Sequence, residues 1–453
     1  MSASDPGQGP PDGGRAMDHP ISAIQDQILF HGELCPDDTS YHVPWHVRLR
    51  GRLDREAFER ALHAVVARHA ALRTRFVWSG PRRVARVFDE PVVALEHYDL
   101  RALAGPRRAA VIARAVDEVI ARPFALAADP PIRATLLHVD DEEHRFVLVT
   151  HHIVVDGWSL GVLVRELARA YRALRDGRAV DLPEVELQAH EAPRPTEARR
   201  DQDLAYWRDA LAGAPTEIDL PADRPRPEIA TWRGAHHRIR VEPALVAEVT
   251  ALAQASRVTP FMILLAAFQA VVARLARVQD FLVAVPTANR VTRRLERAVG
   301  MFVNLLPIRA RLGATTTGRA AIAGASRAVL DGLAHAAVPF VDIVRAMNPP
   351  RSRAREPLCQ LLFQIAPSLD LDAPVPGLTV EQLPIEDHRS RFDLVVSLWE
   401  IAGGLEGYWE YPTDLFDEPT IAGFAERYER LLRALVARPD QPLAALWDEG
   451  PIA

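Results

Sequence analysis

The stretch RFVLVTHHIVVDGWSL, residues 145–160, carries the clearest structural signal in the chain. Its apolar run ends at His151 and His152, and an Asp-Gly pair follows at Asp156 and Gly157. A short apolar run bounded by a turn signal is typical of a buried strand, and Asp-Gly favours a turn. The residues after the turn are apolar at helical spacing and end in glycine. The stretch therefore predicts a strand, a turn and a helix in succession.

The same ingredients recur on both sides of this stretch. The sequence YHVPWHVRLRG (41–51) alternates as a strand does, and a helical pattern follows with Asp54 placed as its N-cap. Beyond residue 200, helical patterns around 243–276 and strands such as FLVAVPTANR appear. The chain is thus predicted to be α/β, with two halves of similar size, and two such halves invite a ligand site between them.

Length and local composition predict where the halves begin and end. A chain of 453 residues favours two or three compact units. Residues 1–17 are mostly Gly, Pro, Ser and Asp, so we expect a disordered tail there. Residues 181–200 are rich in proline and charge, which is typical of a linker. We therefore expect an N-terminal unit over 18–180 and a C-terminal unit over 201–453.

Charge and cysteine content exclude several classes of function. The net charge is −6 and the arginines are scattered among carboxylates, which argues against nucleic acid as the main partner. Two cysteines, Cys35 and Cys359, do not make a secreted disulfide framework. No run of about 18 apolar residues and no signal-peptide core is present. We therefore expect a cytoplasmic protein with no membrane partner.

The histidine pair suits proton transfer. Successive side chains of a strand point to opposite faces, so His151 and His152 are not expected to ligate one metal. One imidazole can meet a ligand while the other packs below, and a neutral imidazole accepts a proton readily near pH 7. Asp156 could hold one ring or pair with an arginine. A purely structural interpretation stays open, because Asp-Gly is a common turn signal and a histidine ending a strand often only packs.

Other chemical motifs are scarce. The chain lacks the phosphate loop, the dinucleotide-binding glycine pattern and the common zinc motifs. The string GWSLG (157–161) fits the nucleophile elbow of serine hydrolases, which makes Ser159 a candidate nucleophile. A small-residue turn between a strand and a helix explains that string equally well. Neither cysteine has a recognisable nucleophile setting.

Taken together, these strings resemble the condensation domains of non-ribosomal peptide synthetases. HHIVVDG matches the family signature HHxxxDG, RHAALRTRF (68–76) is similar to the family's RHEALRTRF, and SAIQDQILF approximates the opening S-x-A-Q-x-R motif. Later motifs are matched by DLAYWRDALAGAP, LPADRPRP, VGMFVNLLPIR, HAAVPFVDIV and REPLCQLLFQ. The matches occur in the family's order and extend from about Pro20 onward.

The resemblance implies both a fold and a reaction. The fold would be two chloramphenicol-acetyltransferase-like subdomains in a V, with the histidine motif facing a central tunnel. The reaction would be acyl transfer from a thioester on the phosphopantetheine arm of a carrier protein to an amine or hydroxyl acceptor, in the biosynthesis of antibiotics and other natural products. The acceptor would be a small molecule or would itself be carrier-bound. No metal ion and no cofactor of the enzyme's own is implied.

The resemblance also assigns roles within the motif. It gives catalytic positions to four residues: His152, His151, Asp156 and Gly157. His152 would act as general base toward the acceptor or position it, and Gly157 would let the chain turn close to the bound acyl group. Asp156 would form a structural salt bridge with an arginine. The best match for that arginine is Arg290 in PTANR, and Arg309 is the second candidate.

Two departures from the family pattern bear on the acceptor. QAHEAPRP, after residue 187, lacks the family's tyrosine-rich Y-x-D-Y-A segment, and LLFQIAP has Pro367 where the family often has Asn. Both stretches could contact an acceptor, which argues against an ordinary amino acid in that role. No adenylation or carrier sequence is present in the chain. We therefore expect a free-standing enzyme that meets its carrier protein in trans.

Related classes with the histidine motif remain as alternatives. A plant-type coenzyme-A-dependent acyltransferase would carry D-F-G-W-G where this chain has only RFDLVV. A cyclisation domain would replace the histidine pair by D-x-x-x-x-D. An epimerase keeps the motif, but RHAALRTRF and VGMFVNLLPIR fit condensation members better. A non-catalytic docking protein that recruits enzymes to a carrier line usually loses residues of the motif, all of which are present here.

Overall fold

The computed structural model describes residues 16–366, 377–385, 389–401 and 403–447. The chain forms two compact units, each of which mixes helices with sheet. Unit 1 consists of three chain segments: Met1–Ala192, Arg290–Phe302 and Leu369–Ile385. Unit 2 consists of the other three: Pro193–Asn289, Val303–Ser368 and Glu386–Ala453.

Unit 1 contains two sheets and the helices packed on them. Its strands are β1 (Ala16–Pro20), β2 (His42–Arg50), β3 (Thr74–Ser79), β4 (Arg82–Phe88), β5 (Leu95–Asp99), β6 (Ile132–Asp140), β7 (Glu143–His151) and β12 (Thr379–Gln382). Its helices are α1 (Ala23–Leu34), α2 (Arg55–Arg68), α3 (Gly105–Ala121) and α4 (Gly157–Arg175). The larger sheet has the order β12-β2-β7-β6-β5, and the smaller has the order β1-β4-β3. Strand β7 is therefore central, with a paired neighbour on each side.

Unit 2 is built around one six-stranded sheet in the order β10-β9-β11-β13-β14-β8. Its strands are β8 (Gly234–Val241), β9 (Asp280–Thr287), β10 (Asn304–Arg311), β11 (Leu361–Ile365), β13 (Leu394–Ile401) and β14 (Gly404–Pro412). Its helices are α5 (Glu197–Ala210), α6 (Pro243–Ser256), α7 (Pro260–Ala276), α8 (Gly318–Ala334), α9 (Phe340–Met347), α10 (Glu418–Ala437) and α11 (Leu443–Leu446). The mixed α/β fold class predicted from the sequence is confirmed.

The predicted strand, turn and helix of residues 145–160 are confirmed as β7, a turn and α4. The apolar run of β7 is buried on both faces, which suits a central strand. Helix α2 begins at its predicted N-cap, because Asp54 Oδ1 accepts a hydrogen bond from the Ala57 amide at 3.0 Å. Its Phe58 ring lies 4.9 Å from the Phe146 ring of β7 and 5.7 Å from the Tyr171 ring of α4. The two helices thus share one core with β7.

The RHAALRTRF motif has a structural use in unit 1. His69 is fully buried and its Nε2 lies 2.8 Å from Oε2 of Glu166 in α4. Arg68 Nε lies 3.2 Å from the same carboxylate. Because two side chains at the end of α2 hold one glutamate of α4, the motif fixes the packing of the helix that begins at the Asp-Gly turn.

The VGMFVNLLPIR motif has a comparable use in unit 2. The Asn304 amide donates hydrogen bonds to the carbonyls of Ala336 and Val338 at 3.0 and 2.7 Å. Its Oδ1 accepts one from the Phe340 amide at 2.9 Å. Asn304 therefore joins the start of β10 to the HAAVPFVDIV motif (335–344), which spans the loop before α9 and the first residues of α9.

The predicted boundaries need three corrections. The tail over 1–17 extends two residues too far, because Ala16 and Met17 pair with β4 in β1; residues 1–15 lie outside the described part of the chain. The linker over 181–200 ends too late, since Thr196 caps α5 from Glu197 and the units divide after Ala192. Residues 290–302 and 377–385, expected in the C-terminal unit, belong to unit 1. The reason is long-range pairing, such as that of β12 with β2, which local patterns do not encode.

Pro367, one of the two departures from the family pattern, lies outside the described residues.

Within the described ranges, no single helix is both long enough and apolar enough to cross a bilayer. Helices α6 and α7 meet that requirement only as a pair, and the chain bends by 105° between them.

Candidate active site

His151 is the last residue of β7 and is enclosed by aromatic rings. It is 8% exposed, and its ring centroid lies 6.1 Å from that of Tyr41, 6.0 Å from that of His42 and 5.8 Å from that of Phe124. Its Nδ1 accepts a hydrogen bond from the Ile153 amide at 3.1 Å. Burial, with a smaller contribution from neighbouring positive charge, lowers the pKa of His151 to about 3. His151 is therefore a neutral, packed side chain with its proton on Nε2.

His152 lies in the turn that follows β7 and is half-buried. Its backbone amide donates a hydrogen bond to the Tyr41 carbonyl at 2.7 Å, next to the β2 to β7 pair His42 and His151. The two adjacent rings therefore lie in different surroundings. Within the pair, His152 is the residue with the greater exposure.

Asp156 is 2% exposed and is the N-cap of α4. Its Oδ1 accepts hydrogen bonds from the Ser159 amide at 2.8 Å and from Arg290 Nη2 at 3.1 Å. Its Oδ2 accepts one from the Phe302 amide at 3.1 Å. Because three donors bind this buried carboxylate, the geometry favours a structural role for Asp156 over a role in proton transfer.

Arg290 joins the first turn of α4 to the segment Arg290–Phe302. Its side chain is 4% exposed, and Nη1 donates to the carbonyls of Leu295 and Ala298 at 2.7 and 2.9 Å. The guanidinium also lies 4.3 Å from the Phe302 ring centroid. Burial lowers the pKa of Arg290 from its usual value, and the charge of Asp156 opposes that shift.

Arg309, the second candidate for the salt bridge, lies in unit 2 and has a different partner. Its Nη2 and Nε lie 2.6 and 2.7 Å from the carboxylate of Asp280. Arg290 is thus the candidate that the structure places against Asp156.

The elbow interpretation of GWSLG is wrong for the folded chain. Ser159 is fully buried, and its Oγ donates to the Gly300 carbonyl at 2.9 Å. The same Oγ accepts from the Gly300 amide at 3.1 Å and from Arg290 Nη2 at 2.9 Å. An enclosed hydroxyl with three hydrogen bonds is poorly placed to attack a substrate. The string forms the first residues of α4, directly after the N-cap Asp156.

Gly157 is the exposed first residue of α4. Its φ angle is not positive, so other residues can adopt the same backbone conformation. The turn itself therefore does not require glycine. The expected closeness to a bound acyl group stays a prediction.

The stretch QAHEAPRP contributes to the packing of unit 1. Gln188 Oε1 accepts from the Ala70 amide at 3.0 Å, and its Nε2 donates to the Arg68 carbonyl at 3.1 Å. His190 lies ring to ring with His19 at 3.9 Å. The stretch that differs from the family's tyrosine-rich segment is therefore the one whose Gln188 binds the backbone of the RHAALRTRF motif.

Sequence reasoning missed Tyr41, whose carbonyl holds His152. Alternation predicted a strand over 41–51, but nothing in that string indicated that the strand pairs with β7. In the described ranges, no group of three or more His, Cys, Asp or Glu side chains is arranged to hold a metal ion.

Acidification should destabilise unit 1 before carboxylates titrate. Burial lowers the pKa of His46 and of His144 to about 4 and that of His151 to about 3, from an ordinary value of 6.5. Because the unfolded chain then binds more protons than the folded one, stability is fully present above about pH 6.5 and falls as the pH drops toward 4. Each of these histidines contributes up to about 1.4 kcal/mol per pH unit in that window. Urea denaturation at pH 7.5, 6 and 5 measures the slope.

The variant His144→Gln removes one titrating ring and should reduce that slope. A free energy of unfolding that is constant from pH 7.5 to 5 would contradict the burial argument.

Comparison with known sequences agrees with this geometry. The family model described as the condensation domain matches residues 16–448. Chondramide synthase cmdD of Chondromyces crocatus is 34% identical over 425 residues, which cover 93% of this chain and 11% of that protein. Malpinin synthetase of Mortierella alpina is 32% identical over 436 residues, which cover 95% of this chain and 6% of that protein. The chain thus spans a small part of the length of these curated relatives.

Solved structures give the same result at the level of the fold. The structure described as the complex of the X-domain and OxyB from teicoplanin biosynthesis is 27% identical, with a TM-score of 0.81 and coverage of 97% of this chain and 98% of that one. The SgcC5 protein from Streptomyces globisporus is 26% identical, with a TM-score of 0.72 and coverage of 93% and 100%. The family match, the shared motifs and the fold together show that this chain belongs to the condensation domains of non-ribosomal peptide synthetases.

Proposed function

We propose that this chain is a condensation enzyme that transfers an acyl or aminoacyl group from a carrier-protein thioester to an amine or hydroxyl acceptor. One observation carries the proposal. Within the HHIVVDG motif, His151 and Asp156 are enclosed and hydrogen-bonded, while His152 is half-buried on a backbone fixed by Tyr41. Among these three residues of the motif, His152 is the one of intermediate exposure, and its backbone is hydrogen-bonded to the neighbouring strand segment.

The proposed reaction needs no redox partner. The acceptor nitrogen or oxygen attacks the thioester carbonyl, the new C–N or C–O bond forms, and the C–S bond breaks. The departing thiolate of the phosphopantetheine arm takes up the proton that the acceptor loses. His152 accepts that proton from the acceptor or holds the acceptor in line, a role worth about 10²–10⁴ in rate. A thioester is already activated, so no metal or cofactor of the enzyme's own is invoked.

Positioning supplies much of the remaining rate enhancement. Two reactants held together can gain up to about 7–11 kcal/mol over a bimolecular encounter in favourable cases. In this chain the Asp156 to Arg290 pair and the Ser159 hydroxyl fix the turn between β7 and α4. That turn carries His152 at its start, so its rigidity limits how far the imidazole can move.

Carrier loading tests the proposal directly. A carrier protein is charged with a panel of acyl and aminoacyl groups, amine and alcohol acceptors are added, and products are followed by intact-mass spectrometry. Formation of an amide or ester that depends on this protein supports the function. No product across a broad panel would overturn it.

No acyl-enzyme should accumulate during this reaction. The Ser159 hydroxyl is fully buried, and its three hydrogen-bonding partners leave no approach for a thioester. The mass of the protein should therefore stay constant through turnover, with the acyl group found on the carrier or the product. An acyl adduct that maps to the peptide containing Ser159 would contradict a direct transfer.

Recruitment of another enzyme is the second candidate function. It is favoured by the 27% identity and TM-score of 0.81 to the X-domain that was solved as a complex with OxyB. In that case the chain would bind a partner enzyme and a loaded carrier without forming a product. Tight carrier binding together with no condensation would favour recruitment over catalysis.

A further inference from the structure

A histidine and aspartate pair joins the last turn of α1 to the loop before β2. We call it the Asp38 turn, formed by His31, Asp38, Ser40 and Tyr41. Asp38 Oδ2 lies 2.6 Å from His31 Nε2 and accepts a hydrogen bond from Ser40 Oγ at 2.6 Å. Asp38 Oδ1 accepts another from the Ser40 amide at 3.1 Å. One carboxylate thus closes the loop from the last turn of α1 to the residues before β2.

The acidic and basic side chains of this turn are largely shielded. The side chain of Asp38 is 13% exposed and that of His31 is 29% exposed. His31 Nε2–H can donate to the carboxylate whether the ring is neutral or protonated. A hydrogen bond to an ionised, shielded carboxylate is roughly twice as strong as one between neutral groups. Side-chain hydrogen bonds from His31 and Ser40 to Asp38 therefore stabilise the Asp38 turn in addition to its backbone hydrogen bonds.

Tyr41 links this turn to the histidine motif. Its carbonyl accepts the His152 amide at 2.7 Å, and it directly follows Ser40 in the chain. Its ring lies 5.5 Å from the His31 ring on one side and 6.1 Å from the His151 ring on the other. The bond from His152 continues the β2 to β7 ladder by one residue past the end of β7. The orientation of the peptide that carries the His152 ring thus depends on where the Tyr41 carbonyl lies.

We propose that His31 and Asp38 are positioning residues for His152. They fix the Ser40 to Tyr41 turn, the Tyr41 carbonyl fixes the His152 backbone, and the imidazole is thereby held in its working orientation. The inference deepens the proposed function and rests on it only for the turnover measurements. Displacement of a catalytic group by about 1 Å can cost about 10²-fold in rate, so a small movement of Tyr41 is enough to be measured.

Paired substitutions at His31 test the turnover effect. His31→Leu keeps the approximate size but removes the donor, and we expect kcat to fall about tenfold with KM within about twofold. His31→Gln places an amide donor near the position of Nε2 and should restore most of the loss. Asp38→Ala should act like His31→Leu. The matched control is His237→Leu, which breaks a 2.8 Å histidine to glutamate pair in unit 2 and should leave kcat unchanged.

A spectroscopic readout tests the inference without turnover. With histidine labelled at Cε1, the His152 signal is assigned by its loss in His152→Gln. His31→Leu and Asp38→Ala should move that signal, whereas His31→Gln and His237→Leu should not. Melting temperatures identify any variant that fails to fold, and His31 is the safer of the two sites because its side chain is more exposed than that of Asp38.

The two hypotheses fail in different ways. Wild-type turnover with an unchanged kcat in folded His31→Leu overturns the positioning inference and leaves the condensation function standing. Absence of wild-type turnover overturns the function, and the His152 signal then decides the inference alone. A His152 signal that does not respond to either His31→Leu or Asp38→Ala overturns it.

Discussion

Replacing His152 with alanine should lower kcat by about 10²–10⁴ and leave the fold intact, the range expected for loss of a general base. The residue is half-buried, and its backbone amide donates a hydrogen bond to the Tyr41 carbonyl that alanine retains. Single-turnover condensation with a loaded carrier measures the rate. Thermal unfolding should show a melting temperature within a few degrees of the wild type.

His63 offers a matched control for that variant. It is another half-buried histidine of unit 1, on helix α2, and it takes no part in the proposed site. His63→Ala should retain the wild-type rate. If His152→Ala keeps most of its turnover while product formation still depends on the protein, another group transfers the proton.

Replacing Asp156 with alanine should destabilise the protein by about 3–5 kcal/mol, because it leaves a buried guanidinium without its counter-charge. The side chain of Arg290 is only 4% exposed, so water does not replace the lost carboxylate. The amides of Ser159 and Phe302 lose an acceptor at the same time. Urea denaturation measures the loss, and turnover should fall with it, since the turn that carries His152 loosens.

A double substitution separates the ion pair from the cap. Arg290→Ala alone leaves the carboxylate of Asp156 unpaired, whereas Asp156→Ala with Arg290→Ala removes both charges. The double variant should therefore be less destabilised than the sum of the two single variants, by at least about 1 kcal/mol. Additive losses would show that the pair contributes nothing beyond its separate hydrogen bonds.

The local part of this site was predictable because its causes are local. The apolar run that ends at His151 marked β7, and the Asp-Gly pair marked the start of α4. Asp54 was predicted correctly as an N-cap for the same reason. A short polar side chain just before an apolar helical pattern can accept a hydrogen bond from a free amide of the first helical turn.

The long-range part was not predictable from spacing. Arg290 and Asp156 are 134 residues apart, and no periodicity joins them. Only the resemblance to a family identified Arg290 as the partner of Asp156, and it left Arg309 as a second candidate. The carbonyl of Tyr41 has no signature at all, since a backbone group is the same at every residue. The interpretation of Ser159 as a nucleophile was wrong for a different reason. GWSLG matches a catalytic pattern in sequence, but in the folded chain the serine hydroxyl is buried and hydrogen-bonded to Gly300.

The three-segment composition of unit 1 limits how this protein can be divided. A fragment cut after Ala192 would contain Asp156 and Ser159 but neither Arg290 nor Gly300, which bind them in the whole chain. Chimaeras between relatives should therefore transfer residues 290–302 together with the N-terminal half. During synthesis on the ribosome, the turn that bears His152 gains its last partners only after residue 302 has emerged.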